Sequence, residues 1–256
     1  MTRDRKFQMN KKVAVLIPAG GASVRFGQKT KKQFSEINGR AVFLHTIEQF
    51  SNRDDVVQII LAIPPDEEEM FHIRHGDKLG FWGIKCVLGG NSRDETIGNM
   101  LREVKDDVDL IAIHDAVRPC ITQSQIEEVF TKASQSGAAI LANPICGTVK
   151  SSTDGIAIDV TINREALWEA QTPQVFAADL YRNAFNNKAN LTETITDDAQ
   201  LVEANGHTVS LVKSDTTNIK ITTSSDLIIA KALIDAAPKP IDNDGPVGPY
   251  AAEQGW

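Results

Sequence analysis

"VAVLIPAGGASVRFGQKTKKQF", residues 13–34, decides the reading of the fold. Val13 to Ile17 form an unbroken apolar run with no polar alternate face, so a strand made from them must be covered on both sides. Strands of that kind belong to parallel sheets with helices on each face. The run stops at Pro18 and passes into Ala19, Gly20 and Gly21, after which come Arg25, Lys29, Lys31 and Lys32. In a parallel α/β sheet the loop after the first strand is the usual phosphate cradle. Glycines there permit positive φ and let backbone N–H groups approach an anion with no Cβ in the way. A solvated basic turn would need the cations but not the glycines, whereas an anion held against the backbone needs both. The loop is neither the G-x-G-x-x-G dinucleotide fingerprint nor a P-loop, which requires G-K-[ST].

Outward from this stretch the pattern repeats. "VVQIILAI" (56–63), "IKCVL" (84–88), "LIAIH" (110–114) and "AAILAN" (138–143) are further short apolar runs. Between them "AVFLHTIEQF" sets Val42, Phe43, Ile47 and Phe50 on one helical stripe, and "QSQIEEVFTKASQSG" does the same with Ile126, Val129, Phe130 and Ala133. Thr122 with Gln125 makes a capping box, and Gly137 is the matching stop. The expected architecture is α/β, a mostly parallel sheet flanked by helices, over residues 13–236. From 144 to about 172 short β-type pieces without a long helix between them predict an inserted β-hairpin arm. Helical pieces at 178–187 and 197–204 follow, then "HTVSLV", "NIKIT" and a last helix near 225–236. Residues 1–12 read as a flexible N-terminus, and 237–256, dense in Pro, Gly and Asp, as a disordered tail.

A net charge of -7 excludes the broad basic face that nucleic acid or a membrane surface would require, so any polyanion must be met locally. Cys86, Cys120 and Cys146 lie far apart with no CxxC pair, which fits buried thiols in a reducing cytoplasm better than a disulfide framework or a zinc knuckle. The apolar run after the basic first twelve residues is too short for a signal core, and no stretch reaches the eighteen apolar residues of a membrane span.

A second cluster strengthens the anion reading. "IHDAVRP" (113–119) closes an apolar strand with Asp115 and Arg118, at the same end of a parallel sheet as the glycine loop. An Asp–Arg pair alone reads as the closure of a surface turn. Beside a cationic glycine loop it describes a site for a metal-bound nucleoside triphosphate, with Asp115 suited to Mg²⁺, a hard cation that takes one or two carboxylates plus substrate phosphates.

Taken in order, "PAGG" (18–21), Arg25, "KQF" (32–34), "GGNSR" (89–93), "HDAVRP" (114–119), "REALWEAQTPQ" (164–174), "TDDA" (196–199) and "NIKIT" (218–222) resemble the 2-C-methyl-D-erythritol 4-phosphate cytidylyltransferases over about residues 13–230. The resemblance implies a Rossmann-like domain with a β-arm, homodimers formed through that arm, and transfer of a cytidylyl group from CTP to a polyol phosphate with Mg²⁺. By matching position it makes Arg25 and Lys32 the transition-state cations. It places Ala19, Gly20 and Gly21 under the nucleotide, and Gly90, Arg93 and Thr96 beside the cytidine. Asp115 would hold the metal with Arg118 in support. Arg164 and Lys220, assisted by Thr148 and Thr172, would position the sugar phosphate. The chain departs from the family pattern at Lys31, where Pro is usual, at Thr96, where Ser is usual, and at Gly147, where Asp is common.

The chemistry so implied needs no nucleophilic side chain, because a phosphate monoester oxygen is already anionic; catalysis then lies in positioning and charge stabilisation. The scattered His45, His72, His75, His114 and His207 suggest no triad, and Asp197 and Asp198 read as acids at a helix start. A ribitol 5-phosphate cytidylyltransferase is the nearest alternative, disfavoured by Arg164 and Leu167-Trp168. An NAD-dependent oxidoreductase lacks its fingerprint and its ribose-binding acid, since Ile63 leads into Pro64 and Pro65. A nucleotide-binding regulator without activity would release no pyrophosphate.

Overall fold

Along the first strand of the computed structural model, Val13, Val15 and Ile17 enter the core on one face of the sheet, while Ala14 and Leu16 enter it on the other. All five are fully buried, which is why this strand could be apolar throughout. The structure describes residues 11–20, 32–191 and 195–237. In chain order its first half runs β1 (Val13–Pro18), β2 (Glu36–Ile37), β3 (Arg40–Ala41), α1 (Val42–Ser51), β4 (Val56–Ile63), α2 (Glu68–Phe81), β5 (Lys85–Leu88), α3 (Arg93–Leu101), β6 (Leu110–Ile113) and α4 (Gln123–Ser136). Its second half runs β7 (Ala138–Pro144), β8 (Val149–Ser151), β9 (Val160–Ile162), β10 (Trp168–Ala177), α5 (Ala178–Asn186), α6 (Asp198–Ala204), β11 (Ser210–Lys213) and α7 (Ser224–Ala236).

Seven strands form the main sheet in the order β11-β7-β10-β6-β1-β4-β5. Every neighbouring pair is parallel except those of β10, which runs antiparallel to β6 and to β7. From β1 the chain steps outward through β4 to β5, then returns past β1 to place β6 on its other side. The strand order therefore reverses at β1, and the carboxyl ends of β1 and β6 flank the switch point, which is the crevice where open α/β sheets bind ligands. The reversal accompanies a change of face. Phe43, Ile47 and Phe50 of α1, Phe71 and Leu79 of α2, and Val129 and Phe130 of α4 cover one side. Ile97 and Met100 of α3, Tyr181 of α5, and Leu201 and Val202 of α6 cover the other.

The expected helix signals are present in α4, where Thr122 and Gln125 form the reciprocal capping box and Gly137 takes the left-handed conformation at φ 83°. β8 and β9 pair as a two-stranded antiparallel hairpin inside the segment read as an arm, with Val149 opposite Ile162. Ile156, Ile158, Val160 and Trp168 are exposed there. "NIKIT" is not a strand: Asn218–Thr222 is irregular, held to the body by the Ile221 N–H on the Val117 carbonyl at 2.9 Å. Among the described residues no helix is long and apolar enough to cross a membrane. Of the tails read at 1–12 and 237–256, residues 1–10 and 238–256 lie outside the described residues.

Candidate active site

Two glycine loops meet at the crevice. A Cβ added to Gly20 would lie 3.3 Å from the Gly89 Cα, and one on Gly89 would lie equally close to the Gly20 Cα. Any side chain would push the loops apart. Gly90 is tighter still, since its Cβ would come within 2.2 Å of the Glu95 Cβ. The Gly90 N–H donates to the Thr96 Oγ1 at 3.0 Å, and that hydroxyl donates to the Ser92 carbonyl at 2.9 Å. Thr96 thus shapes the second glycine loop from within, and its buried hydroxyl is already engaged. The Gln33 side chain donates to the Ala19 carbonyl at 2.7 Å and fixes the chain just after Lys32 against the first loop. Gln33 carries no charge and had no signal in the sequence beyond its place in "KQF". Lys32 opens the short 3₁₀ turn Lys32–Phe34. Gly21, Lys31 and Arg25 lie outside the described residues.

The carboxyl end of β6 supplies the polar centre. Asp115 Oδ2 accepts from Arg118 Nε at 3.1 Å and pairs with Lys220 Nζ at 2.9 Å. Burial alone would raise the Asp115 pKa, but the Lys220 ammonium and the Arg118 guanidinium overcome it and hold the carboxyl well below the usual carboxylate range. Arg118 is buried and also donates to the Asn218 carbonyl at 2.7 Å. Asn218 in turn donates to the Thr172 carbonyl at 2.9 Å, so the "NIKIT" segment that carries Lys220 is tied to β10. The sequence listed Asp115, Arg118, Thr172 and Lys220 separately; the fold joins them.

His114, fully buried against Phe50, organises this centre. Its Nε2 lies 3.2 Å from the Arg118 carbonyl and its Nδ1 3.1 Å from the Thr172 Oγ1. A carbonyl can only accept, so in the neutral ring Nε2 carries the proton and Nδ1 accepts from the Thr172 hydroxyl. That hydroxyl then accepts the Asp115 N–H at 3.0 Å. The Thr172 proton and one of its lone pairs are therefore committed inside the protein. Burial pushes the His114 pKa down to about 4, with the Asp115 charge opposing it. The unfolded chain takes up a proton from about pH 6.5, so the stabilising contribution of the neutral ring is complete above 6.5 and is lost as pH falls toward 4. Between pH 7 and pH 4 the metal-free protein is expected to lose about 3 kcal/mol more unfolding free energy than a His114→Gln variant. Urea denaturation at the two pH values measures the difference, and equal losses in both chains would exclude it.

Arg93, the first residue of α3, forms an ion pair with the buried Asp198, the first residue of α6. Against the opposing effect of burial, Asp198 raises the Arg93 pKa, and the Asp115 charge contributes in the same direction, which places Arg93 in the field of the same centre. The helix-start acids divide: Asp197 is the N-cap of α6, accepting from the Gln200 N–H at 2.8 Å, whereas Asp198 turns inward. Arg164 and Thr148 stand apart from the Asp115 cluster, exposed on the arm, where Arg164 donates to the Cys146 carbonyl.

Among the described residues no group of three His, Cys, Asp or Glu side chains is placed to hold a metal ion. Asp115 offers one ionised oxygen, Oδ1, beyond the Oδ2 that Arg118 and Lys220 share. One hard anionic donor suits a Mg²⁺ that arrives with substrate phosphates, and it does not suit a metal caged by protein alone.

Residues 13–236 match the family model described as IspD: 2-C-methyl-D-erythritol 4-phosphate cytidylyltransferase. Proteins of that name from Rhodopirellula baltica and Alkaliphilus oremlandii are 39% and 37% identical to this chain, each over 87% of it and over 94% and 95% of their own length. The crystal structure of 2-C-methyl-D-erythritol 4-phosphate cytidylyltransferase from Thermus thermophilus superposes with a TM-score of 0.73 at 31% identity, covering 88% of this chain and 99% of that one. A 4-diphosphocytidyl-2C-methyl-D-erythritol synthase structure from Anaerococcus prevotii gives 0.74 at 28% identity, over 88% and 96%. With its glycine loops, shared carboxylate and reversal at β1 all inside the matched span, the chain belongs to the IspD family of cytidylyltransferases.

Proposed function

We propose that this protein transfers the cytidylyl group of CTP to 2-C-methyl-D-erythritol 4-phosphate, giving 4-diphosphocytidyl-2-C-methyl-D-erythritol and pyrophosphate. The observation that carries the reading is the convergence of Arg118, Lys220 and Asp115 at the crevice beside two abutting glycine loops, in a chain of this family. A phosphate monoester oxygen of the acceptor attacks the α-phosphorus of CTP; the new P–O bond forms as the bond to the bridging oxygen breaks, and pyrophosphate leaves with that electron pair. No general base is required.

Two anions must meet, so the protein's task is charge. Ala19, Gly20, Gly21 and Gly90 let the nucleotide lie against the backbone, and Arg93 binds on the same side. Arg25 and Lys32 offset the charge that gathers on the α-phosphoryl group. Mg²⁺, held through Asp115 and the triphosphate, would supply further neutralisation. Lys220 and Arg164 hold the acceptor phosphate, with Thr148 beside Arg164 on the arm. Thr172 and Thr96 act through the backbone they fix. The exposed Ile156, Ile158, Val160 and Trp168 of the arm suit burial against a second copy, which supports a homodimer in which Arg164 serves either its own site or its neighbour's.

Incubation with Mg²⁺ and each of the four nucleoside triphosphates, together with methylerythritol phosphate, ribitol 5-phosphate or no acceptor, tests the proposal through pyrophosphate release. Release is expected with CTP and methylerythritol phosphate alone. Turnover with ribitol 5-phosphate instead would reassign the acceptor, and release without any acceptor would overturn transfer.

A further inference from the structure

Asp198 is nearly as buried as the core of the molecule, yet its helix already has a cap in Asp197. Its two oxygens face different partners. Oδ2 meets the Arg93 guanidinium, and Oδ1 accepts the hydroxyl of Tyr181 at 2.5 Å. Tyr181 is itself fully buried and stacks on Phe176 with centroids 5.0 Å apart. The start of α6 is clamped further by Gln174 of β10, whose amide donates to Asp197 Oδ2 at 2.8 Å and accepts the Ala199 N–H at 2.9 Å. Gln174 stands opposite Ile113 in the sheet, one residue before His114. Asp198 is thus locked to the frame that carries Asp115, and Arg93 is the solvent-facing member of the set, its side chain 40% exposed.

A long guanidinium at a helix start has many rotamers, and ordering it costs conformational entropy at each binding event unless something holds it beforehand. We propose that Asp198, oriented by Tyr181, is a positioning residue that pre-orders the Arg93 guanidinium for the nucleotide, so that the "TDDA" segment governs donor affinity without touching the donor. The Tyr181 bond holds Oδ1 and so fixes the plane of the carboxylate, which keeps Oδ2 on the Arg93 guanidinium. Whether the pair serves binding or stability alone is decided by the substrate on which its loss tells. The inference rests on the CTP reading above.

CTP·Mg²⁺ binding by calorimetry and steady-state pyrophosphate release are measured for wild type, Asp198→Asn, Tyr181→Phe, Arg93→Ala and the double variant Arg93→Ala/Asp198→Asn, each well below its own Tm. Asp198→Asn is expected to weaken CTP binding and raise KM for CTP about tenfold to a hundredfold, the range for a lost charged hydrogen bond, while KM for the acceptor stays within about twofold. Tyr181→Phe keeps the ion pair and should show a smaller loss, about threefold, in the same parameter. In the Arg93→Ala background the Asp198→Asn change should add nothing further to the CTP terms, because a residue that acts through Arg93 has no effect once Arg93 is gone. Equal effects on both substrates, or an undiminished effect in the Arg93→Ala background, overturns the proposal. A wild-type protein that binds no CTP overturns the functional reading, and this one with it, so the two failures are distinguishable.

Discussion

Lys32→Ala is expected to lower kcat about 100- to 1,000-fold while leaving CTP affinity nearly unchanged, the signature of a contact made in the transition state rather than the ground state. The expectation begins with the loop's anchoring. Gln33 is buried and bonded to the Ala19 carbonyl, so the residue before it is fixed in position relative to the glycine loop at the end of β1. Its backbone is held again by the 3₁₀ turn, where the Lys32 carbonyl accepts the Ser35 N–H at 3.2 Å. A cation whose backbone is anchored has less to order when charge develops, and preorganisation of this kind is a main source of electrostatic catalysis. Lys31→Ala is the control, because it removes the adjacent ammonium of the same basic run, and it should lose no more than a few-fold. Steady-state kinetics with both substrates saturating, paired with calorimetric CTP binding, reads the split. Wild-type turnover in Lys32→Ala would remove this residue from catalysis, and a reversed pattern would hand the role to Lys31.

The sequence made β1, β4, β6 and β7 legible because strands covered on both faces must be apolar throughout, and nothing else in a short run of Val, Ile and Ala competes with that reading. α1 and α4 were legible by other signals, a one-sided apolar stripe through Val42, Phe43, Ile47 and Phe50 and, for α4, the Thr122–Gln125 box. α2 and α3 carried weaker signals. Only Phe71 and Leu79 of α2 are buried, while its other large apolar residues, Met70, Ile73 and Phe81, are exposed among charges, and α3 buries four residues around a Gly98 that breaks its pattern. The direction of β10 could not be read at all. Strand polarity is set by the connection, and a hairpin arm that returns the chain alongside β7 imposes antiparallel pairing whatever the residues. At the site, Asp115, Arg118 and Lys220 were each nameable, but not their sharing of one carboxylate oxygen. The pairing of Arg93 with Asp198 spans 105 residues and was hidden by the second reading available to an acid at a helix start. The Asp197-Asp198 doublet was the available signal, since one helix needs only one cap.

Asp115→Asn should abolish more activity than any other single change among the described residues, with kcat/KM expected to fall about 1,000-fold. Three consequences coincide at this atom group. The hard anionic oxygen offered to Mg²⁺ is replaced by an amide that cannot supply the charge, so the Mg²⁺ concentration for half-maximal rate should rise. Lys220 loses the carboxylate that holds it 2.9 Å away, and an ammonium meant for the acceptor phosphate is no longer held in place. Arg118, nearly excluded from water, loses its charge partner and retains only the Asn218 carbonyl. Removing one member of a buried pair costs up to about 3–5 kcal/mol, reduced here because that carbonyl bond remains and because Asp115 itself is not fully enclosed. A fall in Tm of several degrees is expected beside the kinetic loss. Lys220→Ala separates the contributions: it leaves the metal-facing oxygen in place, so KM for the acceptor should rise while the Mg²⁺ dependence and the Tm stay close to wild type. A magnesium titration of the two variants side by side decides the matter. If Asp115→Asn keeps the wild-type Mg²⁺ dependence and differs from Lys220→Ala only in degree, then Asp115 is the anchor of the basic cluster and not a ligand of the metal.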